Sequence, residues 1–401
     1  MSDVLVVGGG FAGVWSAAAV VRQRRDAGVP ESELRVTLVA AGDDLVIRPR
    51  LYEADPEKMR VSLDRILGPI GVRRVTATVT EVDTENREVT AVRRDGSTEV
   101  LSYDRLVLAS GSQVVRPDLP GAEHLFDIDT LAGAARLDAH LHRLAERPAV
   151  SGRFTAVVVG AGFTGLEIAT ELTGRLRAIA GADEPVRVVL VERADVVGPE
   201  LGAGPRPQIL EALDELGIEQ RLGVTLEAVT PAGVRLSDGT EVEAATTVWT
   251  AGMLASPLTA QIPGTRDRLG RLAVDEFLRV AGVPEVYAAG DTAAATVEEE
   301  HVVVQSCQYG MPLGRYAGFN VAADLLGLDQ VPFAPNPYGM CLDLGPAGAV
   351  VTAGWGREVQ FTRQDAKNIK QAINTIAIVP PVDDAAKLLE QAHYTTTPAL
   401  R

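Results

Sequence analysis

Cysteine is nearly missing from this chain of 401 residues, which contains only Cys307 and Cys341. Two cysteines cannot build a disulfide scaffold, and their scarcity is typical of a reducing compartment. Because they lie far apart in the sequence, they form no C-x-x-C pair, which excludes a redox dithiol of that type and a zinc ribbon. The sequence therefore predicts no metal site.

Positive charge and long apolar runs are also scarce. The 38 Lys and Arg residues stand against 54 Asp and Glu residues, which gives a formal net charge of −16. A surface that binds nucleic acid needs clustered Lys and Arg, so we expect no nucleic-acid partner. No run approaches the roughly 18 apolar residues of a membrane helix, and no basic segment precedes the first apolar run. These features predict a soluble, cytoplasmic protein.

Glycine, in contrast, is abundant, and much of it falls in two units of strand, turn, helix and strand. In the first unit, an apolar strand at 4–7 leads into a glycine turn at 8–13, an alanine-rich helix at 14–25 and a second strand at 35–39. The same pattern repeats in the same order at 155–159, 160–165, 166–178 and 187–191. Two such units predict two α/β folds with parallel sheets.

Each glycine turn fits the pattern G-x-G-x-x-G. The first glycine permits a tight turn, the second lets the backbone approach a pyrophosphate, and the third lets the helix pack closely on the strand. The amino end of the following helix then faces the anion. A single copy of this motif is weak evidence, but here both copies follow a strand and open a helix. The turns therefore predict two dinucleotide-binding sites.

The residue that ends the second strand of each unit bears on which dinucleotide is bound. In the second unit it is Glu192, whose carboxylate can bind both ribose hydroxyls and repels a 2′-phosphate. This favours NADH over NADPH, although the neighbouring Arg193 could pair with a 2′-phosphate. In the first unit the matching residue is Ala40, so the ribose there needs another partner, for which Asp43, Asp44 and a backbone group are candidates.

Four further segments carry a resemblance to a known family. The stretch 103–112 (YDRLVLASGS) looks like that family's crossover between domains, and 248–252 (VWTAG) looks like the returning crossover. The stretch 269–275 (LGRLAVD) precedes 286–291 (VYAAGD), which is similar to the G-D flavin signature. Over roughly residues 3–325 the chain resembles the two-dinucleotide-binding flavoproteins and, among them, the type II NADH dehydrogenases.

The resemblance implies an α/β protein with two Rossmann-like domains, in which the NAD(P)H-binding domain is inserted into the FAD-binding domain. It predicts an FAD-binding domain at 1–115 and 268–325 and an NAD(P)H-binding domain at 116–267. A Pro-rich stretch, short strands and two helices then predict a small C-terminal domain at 326–401. Between the glycine units, the alternating segment 72–108 predicts a β-meander.

The same resemblance implies the residues of the site. Gly8, Gly10 and Gly13 would hold the FAD pyrophosphate, while Gly160 and its turn would hold NADH. The full set implied to bind the two cofactors is Gly8, Gly10, Phe11, Ala12, Gly13, Arg48, Val79, Ser110, Gly111, Gly160, Gly162, Gly165, Glu192, Gly252, Gly290, Asp291 and Gln308. The catalytic set, beside the flavin and the nicotinamide, is Glu167, Arg48 and Gln308. A capping role for Glu167 and a surface loop around Arg50 are the alternatives.

The resemblance weakens at the acceptor site. Quinone-reducing members carry A-Q-x-A-x-Q-Q after the flavin signature, whereas this chain keeps only the first Gln as Gln308 and has Pro312 and Leu313 in place of the others. The acceptor is thus a quinone held differently or another small molecule. Cys307 precedes Gln308, and a buried thiol is the preferred interpretation over a catalytic one.

The C-terminal helices bear on location and assembly. A helix at 367–378 would place Ile369, Ala372, Ile373 and Ile376 on one apolar face, and 383–393 repeats the pattern weakly. With few cations and no Trp or Phe on that face, packing within the domain is favoured over membrane association. The sequence predicts a monomer or a homodimer.

The predicted function is hydride transfer from NADH to FAD and on to a small-molecule acceptor, a quinone or a metabolite. A biosynthetic flavoenzyme acting on a soluble metabolite and a non-catalytic FAD/NADH redox sensor are the rivals. A flavin monooxygenase is disfavoured because the sequence has no F-x-G-x-x-x-H-x-x-x-W segment.

Overall fold

A computed structural model of the chain describes residues 1–182, 184–298 and 301–396. The strands are β1 Ser2–Val7, β2 Leu34–Ala40, β3 Asp44–Val46, β4 Arg60–Ser62, β5 Arg73–Thr76, β6 Thr78–Asp83, β7 Glu88–Val92, β8 Thr98–Ser102, β9 Arg105–Leu108, β10 Ser112–Val114, β11 Thr155–Val159, β12 Arg187–Glu192, β13 Glu219–Leu222, β14 Leu226–Thr230, β15 Gly233–Leu236, β16 Glu241–Glu243, β17 Thr246–Trp249, β18 Met253–Ala255, β19 Leu272–Ala273, β20 Val286–Ala288, β21 Ala293–Ala294, β22 Gly339–Asp343, β23 Ala349–Ala353 and β24 Glu358–Thr362.

The helices are α1 Phe11–Asp26, α2 Leu63–Leu67, α3 Leu131–Arg143, α4 Phe163–Ala180, α5 Arg206–Leu216, α6 Cys307–Leu326, α7 Arg363–Ala372 and α8 Ala385–Gln391. A π-helical turn, Ile373–Ala377, continues α7. None of the helices in the described ranges has the length and apolar character needed to cross a membrane.

Two parallel sheets form the centre of the molecule. The first has the order β20-β9-β1-β2-β5 and the second the order β13-β12-β11-β17. Their central strands are almost wholly buried, as expected for apolar runs covered on both faces. Because β20 comes after the second sheet in the chain but pairs in the first, one fold is inserted in the other. The predicted fold class is confirmed.

A two-stranded antiparallel ribbon connects the sheets. Its strands, β10 and β18, lie on the outgoing and returning crossovers and pair Ser112 with Ala255 and Val114 with Met253. The meander predicted at 72–108 is present over 78–102 as the antiparallel sheet β6-β7-β8, whereas the two ends of that segment form β5 and β9 of the first parallel sheet. The domain boundaries given above stay a prediction.

Helices α1 and α6 cross in close contact at two glycines. A Cβ atom on Gly314 would lie 2.4 Å from the carbonyl oxygen of Ala12, and one on Gly318 would lie 2.2 Å from that of Ser16. Both obstacles are backbone atoms, so a side chain can be placed only if the helices move apart. This crossing holds the glycine turn that precedes α1 against the amino-terminal half of α6.

We therefore expect Gly318→Ala to lower the free energy of unfolding by about 1–3 kcal/mol, the usual cost of overpacking a core. The matched control is Gly310→Ala on the same helix, where the nearest atom to the added Cβ, on Phe11, lies 3.8 Å away. That change should leave stability unchanged or raise it, because Ala favours helix over Gly. Thermal unfolding of both variants checks the expectation, and equal melting temperatures would contradict it.

The small C-terminal sheet β22-β23-β24 is covered by α7 and packs on α4. A Cβ on Gly345, just after β22, would lie 2.6 Å from the carbonyl oxygen of Thr170 in α4. This close approach brings the C-terminal domain onto the helix that follows the second glycine turn.

The predicted apolar face of the helix at 367–378 is correct only in part, because Ile373 packs against the core whereas Ile376 is exposed. Ile376 is 63% exposed, and the buried positions are Ala366, Lys370 and Asn374. These three follow the spacing i, i+4, i+8, so the helix buries a row that contains a lysine. The reason is a long-range ion pair described below. The weaker pattern at 383–393 is confirmed, since Leu388 of α8 is fully buried.

Candidate active site

The first glycine turn joins β1 to α1. Gly8 has φ +124°, and a Cβ there would lie 2.1 Å from the carbonyl oxygen of Ala109. A Cβ on Gly13 would lie 1.9 Å from the carbonyl oxygen of Gly8, so the helix and the turn touch. Gly10 differs, because a Cβ there would meet no heavy atom within 4 Å. The turn is thus closed on the protein side and open where an anion would approach the end of α1.

Two further predicted segments border the same turn. Ser110 and Gly111 follow β9, and the Ser110 hydroxyl is buried with no hydrogen-bond partner among the described residues. Gly290 and Asp291 follow β20, and a Cβ on Gly290 would lie 2.8 Å from the Cβ of Ala12. Flanking residues Phe11 and Ala12 open α1. A buried hydroxyl without a partner beside an open glycine turn fits a phosphate or ribityl oxygen.

The residues predicted for the adenosine end lie at the carboxyl end of β2. Ala40 ends β2, and its carbonyl accepts the amide of Ala77 just before β6, which places half-buried Val79 near the end of β2. Asp43, a candidate for the ribose, is engaged by Thr76 and Arg74. The Thr76 hydroxyl, first, and the nearby arginines lower the pKa of Asp43.

The second glycine turn repeats the geometry of the first. Gly160 has φ +105°, a Cβ on Gly165 would lie 1.7 Å from the carbonyl oxygen of Gly160, and a Cβ on Gly162 would meet no heavy atom within 4 Å. Glu192 ends β12, as predicted, and its carboxylate accepts the amides of Ala161 at 2.7 Å and Ala194 at 2.9 Å. The carboxylate is therefore fixed over the turn.

Arg48 belongs to a polar cluster at the mouth of the first turn. Its guanidinium donates to the Ser112 hydroxyl at 3.0 Å and pairs with Asp129. Ser112 in turn donates to Asp291 at 2.6 Å, and Arg48 lies 3.8 Å from the same carboxylate. The structure thus brings Arg48 and Asp291 together. Gly252 lies nearby on the crossover, where its carbonyl accepts the amide of Val115. Arg50, by contrast, forms a local bidentate pair with Glu53.

Glu167 lies in a buried ion pair. Its carboxylate is 2.8 Å from the Lys370 ammonium and accepts the amide of Asp343 at 3.1 Å, and both charged side chains are at least 94% buried. Burial raises the pKa of Glu167 to about 7, although Lys370 opposes the shift. Burial alone would lower the pKa of Lys370, but the Glu167 carboxylate outweighs it and the net shift is upward. The capping alternative fails, because Glu167 lies beyond the first turn of α4.

A second set of polar groups continues from this pair toward the surface. Asp343 accepts the Tyr52 hydroxyl at 3.0 Å and the Lys367 ammonium at 2.5 Å. Asn374, presented by the π-helical turn, reaches Tyr52 and Glu53 at 3.4 Å. Burial, and then the carboxylate of Glu167, raises the pKa of Tyr52, so its hydroxyl stays protonated. The site therefore combines helix α4 with the C-terminal domain.

Gln308 is held by the backbone of the C-terminal domain. In the amide orientation that matches donors to acceptors, its side chain pairs with the backbone of Gly339, with N···O 2.5 Å and O···N 3.1 Å. Gln308 thus joins the start of α6 to β22, four residues before the Asp343 amide that Glu167 binds. Glu167 and Gln308 meet the same strand, while Arg48 belongs to the separate cluster around Asp291.

Cys341 lies in this strand and Cys307 directly precedes Gln308, and both thiols are shifted toward their protonated form. Burial raises the pKa of the Cys307 thiol to about 11 and that of Cys341 to about 12. The thiolate is the nucleophile, so both side chains serve as small packing groups. This agrees with the preferred interpretation of Cys307.

We accordingly expect both thiols to react slowly with a thiol reagent. A pKa raised from 9.0 to about 11 lowers the thiolate fraction of Cys307 roughly 100-fold near neutral pH. Labelling of the folded protein, compared with the protein in denaturant, checks this. A thiol that reacts in the folded protein as fast as free cysteine would contradict it and would indicate sulfur chemistry at the site.

Three residues of the candidate site were not predicted: Lys370, Asp343 and Asp129. Each is a charged residue whose partner lies far away in the sequence. Lys370 is buried in one row with Ala366 and Asn374. Because two of these three residues are polar, a search for hydrophobic periodicity does not find the buried face.

Residues 2–311 match the family described as pyridine nucleotide-disulphide oxidoreductase. Over 396 residues, 98% of each chain, the sequence is 49% identical to an NADH dehydrogenase-like protein of Mycobacterium tuberculosis. It is 28% identical to demethylphylloquinone reductase of Synechocystis sp. over 87% of this chain and 86% of that one.

Among solved structures, NDH2 of Plasmodium falciparum in complex with NADH superposes with a TM-score of 0.72. The alignment covers 93% of this chain and 94% of that one at 13% identity, so it shows the fold. The predicted oxidoreductase class and the resemblance to type II NADH dehydrogenases are confirmed. The chain belongs to the pyridine nucleotide-disulphide oxidoreductase family.

Proposed function

We propose that the protein is an FAD-dependent NADH oxidoreductase that passes electrons to a quinone-class acceptor. The observation that carries this proposal is the pair of glycine turns, one at each parallel sheet, whose central glycines Gly10 and Gly162 both face open space. Hydride transfer between two cofactors requires two dinucleotide sites in one molecule. The names of the relatives, an NADH dehydrogenase-like protein and a demethylphylloquinone reductase, support the donor and the acceptor class.

In this proposal the first turn holds FAD. Gly8, Gly10 and Gly13 shape the pyrophosphate site, the orphaned Ser110 hydroxyl supplies a donor, and Asp291 accepts a hydroxyl of the ribityl chain. Val79 would border the adenine. The amino end of α1 adds a favourable field for the phosphates. Bound FAD would supply the chemistry that accepts hydride from NADH and yields electrons to the acceptor.

The second turn would hold NADH. Beside Gly162, the carboxylate of Glu192 accepts the amides of Ala161 and Ala194, and a carboxylate with two such bonds retains capacity for ribose hydroxyls. A carboxylate in this place repels a 2′-phosphate, so we infer that NADH is preferred to NADPH.

Glu167 is the group that we assign to proton handling. With a pKa of about 7, its carboxyl group holds a proton below neutral pH and releases it above. A quinone that takes up two electrons also takes up two protons, and a buried carboxylic acid can deliver one of them. Lys370 then stabilises the carboxylate that remains. Acceptor reduction should therefore slow as the pH rises through about 7.

Anaerobic mixing of the purified protein with NADH and, separately, with NADPH tests the proposal. We expect a yellow protein whose flavin absorbance is bleached faster by NADH and returns on addition of a water-soluble quinone. No bleaching with either nucleotide would refute hydride transfer and favour the redox-sensor alternative.

A different acceptor is favoured by one observation. The only glutamine kept from the quinone-reducing motif, Gln308, is engaged by Gly339, and Pro312 and Leu313 replace the others. A soluble metabolite is thus the second candidate. Reoxidation of the reduced protein by a panel of quinones, disulfides and other small oxidants distinguishes the two candidates. An enzyme that acts on a soluble metabolite would be reoxidised slowly by every quinone.

A further inference from the structure

Asp129 lies on the outgoing crossover between the two sheets, just before α3. It contacts the polar cluster that contains Arg48, Ser112 and Asp291. One carboxylate oxygen pairs with the Arg48 guanidinium, and the other accepts the amide of Val114 at 3.0 Å. Its side chain is 12% exposed, compared with 29% for Arg48. A single carboxylate therefore joins Arg48 to the ribbon that connects the two folds.

Arg48 is shared between two carboxylates of unequal distance. It pairs directly with Asp129 but lies 3.8 Å from Asp291, to which it is linked through the Ser112 hydroxyl. The three charged groups carry one positive and two negative charges. As long as Asp129 holds the guanidinium, Asp291 is not fully neutralised and accepts its hydrogen bond from Ser112.

A neighbouring pair on the same segment provides a comparison. Asp127, two residues earlier, pairs with Arg116, whose side chain is 48% exposed. The Asp127 side chain is 17% exposed, about as buried as Asp129, but its arginine partner is more exposed than Arg48 and is better screened by water. The Asp129 pair is instead linked through the Ser112 hydroxyl to Asp291, the last residue of the flavin signature.

We propose that Asp129 is a positioning residue that restrains Arg48 and thereby sets the reduction potential of the flavin. This rests on the proposed binding of FAD at the first turn. When Asp129 is neutral, Arg48 is released toward Asp291 and the cluster loses one negative charge. The site then stabilises the negative charge of reduced flavin more strongly, which moves the potential upward.

The test is a spectroscopic redox titration of the purified holoprotein against reference dyes, together with its affinity for sulfite, which binds electron-poor flavins. We expect Asp129→Asn to move the potential to a more positive value and to tighten sulfite binding several-fold. Asp129→Glu, which keeps the charge, should restore both values toward those of the native sequence. Asp127→Asn is the matched control and should change neither, since its amide oxygen can still accept the amide of Asp129.

The possible outcomes distinguish a failure of the role assigned to Asp129 from a failure of the proposed function. A native-sequence protein that binds no flavin refutes the proposed function itself. A flavin-bound Asp129→Asn protein with an unchanged potential, even if its melting temperature falls, overturns the inference and leaves Asp129 a structural link. If Asp129→Asn loses its flavin, Asp129→Ser is titrated instead, and loss from both neutral variants also assigns Asp129 to structure.

Discussion

Gly10→Val will give a folded protein without flavin, whereas Gly162→Val will give a yellow protein that NADH reduces about 100-fold more slowly. Both glycines have extended backbone, with φ −81° at Gly10 and −77° at Gly162, and a Cβ on either meets no heavy atom within 4 Å. The fold therefore accepts a side chain at both positions. The added methyl groups instead occupy the space through which a pyrophosphate approaches the helix.

This pair of variants separates the two cofactor sites, because each acts on one sheet. The visible spectrum of the purified protein reports the first site, and anaerobic stopped-flow reduction reports the second. Gly356→Val is the control, since this glycine of the β23–β24 turn also faces open space. A Gly10→Val protein that retains its full flavin content would show that FAD does not use the first turn.

Much of the fold could be predicted because it depends on local signals. Continuous apolar strands such as 155–159 and the glycine spacing at 8–13 are short-range patterns with one structural meaning each. The inserted order of the folds followed from a resemblance in the crossover segments. Both parts agree with the parallel sheets observed here.

The site could be predicted only in part, because its energetics depend on long-range pairs. Glu167 was identified from its motif, but its pKa of about 7 results from burial by a domain whose sequence lies far away. The predicted apolar face of the helix left Lys370 outside it, and a lysine outside an apolar face is expected to be exposed. The ion pair with Glu167 reverses that preference, and Ile376 is exposed instead.

Lys370→Met will destabilise the protein, and the loss will grow as the pH rises above 7. Removing one partner of a buried ion pair costs about 3–5 kcal/mol when the other charge stays. Glu167 can avoid that cost by taking up a proton, which its raised pKa already favours. Lys370 lowers the pKa of Glu167, so this pKa rises further when Lys370 is removed. In the variant, Glu167 therefore stays protonated at pH values above 7, at which it is ionised in the native protein.

The direction of this pH dependence follows from the number of protons that Glu167 binds in the folded and in the unfolded protein. A carboxyl group whose folded pKa exceeds its unfolded value binds more protons when folded, so its contribution to stability falls as the pH rises from the unfolded to the folded pKa. In the native protein the stability contribution of Glu167 stops falling near pH 7. In Lys370→Met, where the folded pKa is higher, the contribution keeps falling above pH 7. The melting temperature of Lys370→Met should therefore lie further below that of the native protein at pH 9 than at pH 6.

The same change should move the activity profile, because a Glu167 that keeps its proton at higher pH can donate it at higher pH. We expect the alkaline decline in acceptor reduction to shift upward in Lys370→Met. Lys367→Met is the matched control, since Lys367 pairs with Asp343 and is partly exposed. In the double variant with Glu167→Gln, the extra stability deficit of Lys370→Met at pH 9 over that at pH 6 should disappear, because no titrating carboxyl group is left in the pair. A stability deficit that is equal at both pH values in Lys370→Met would mean that Glu167 does not titrate there, and its assignment as the proton donor would then fail.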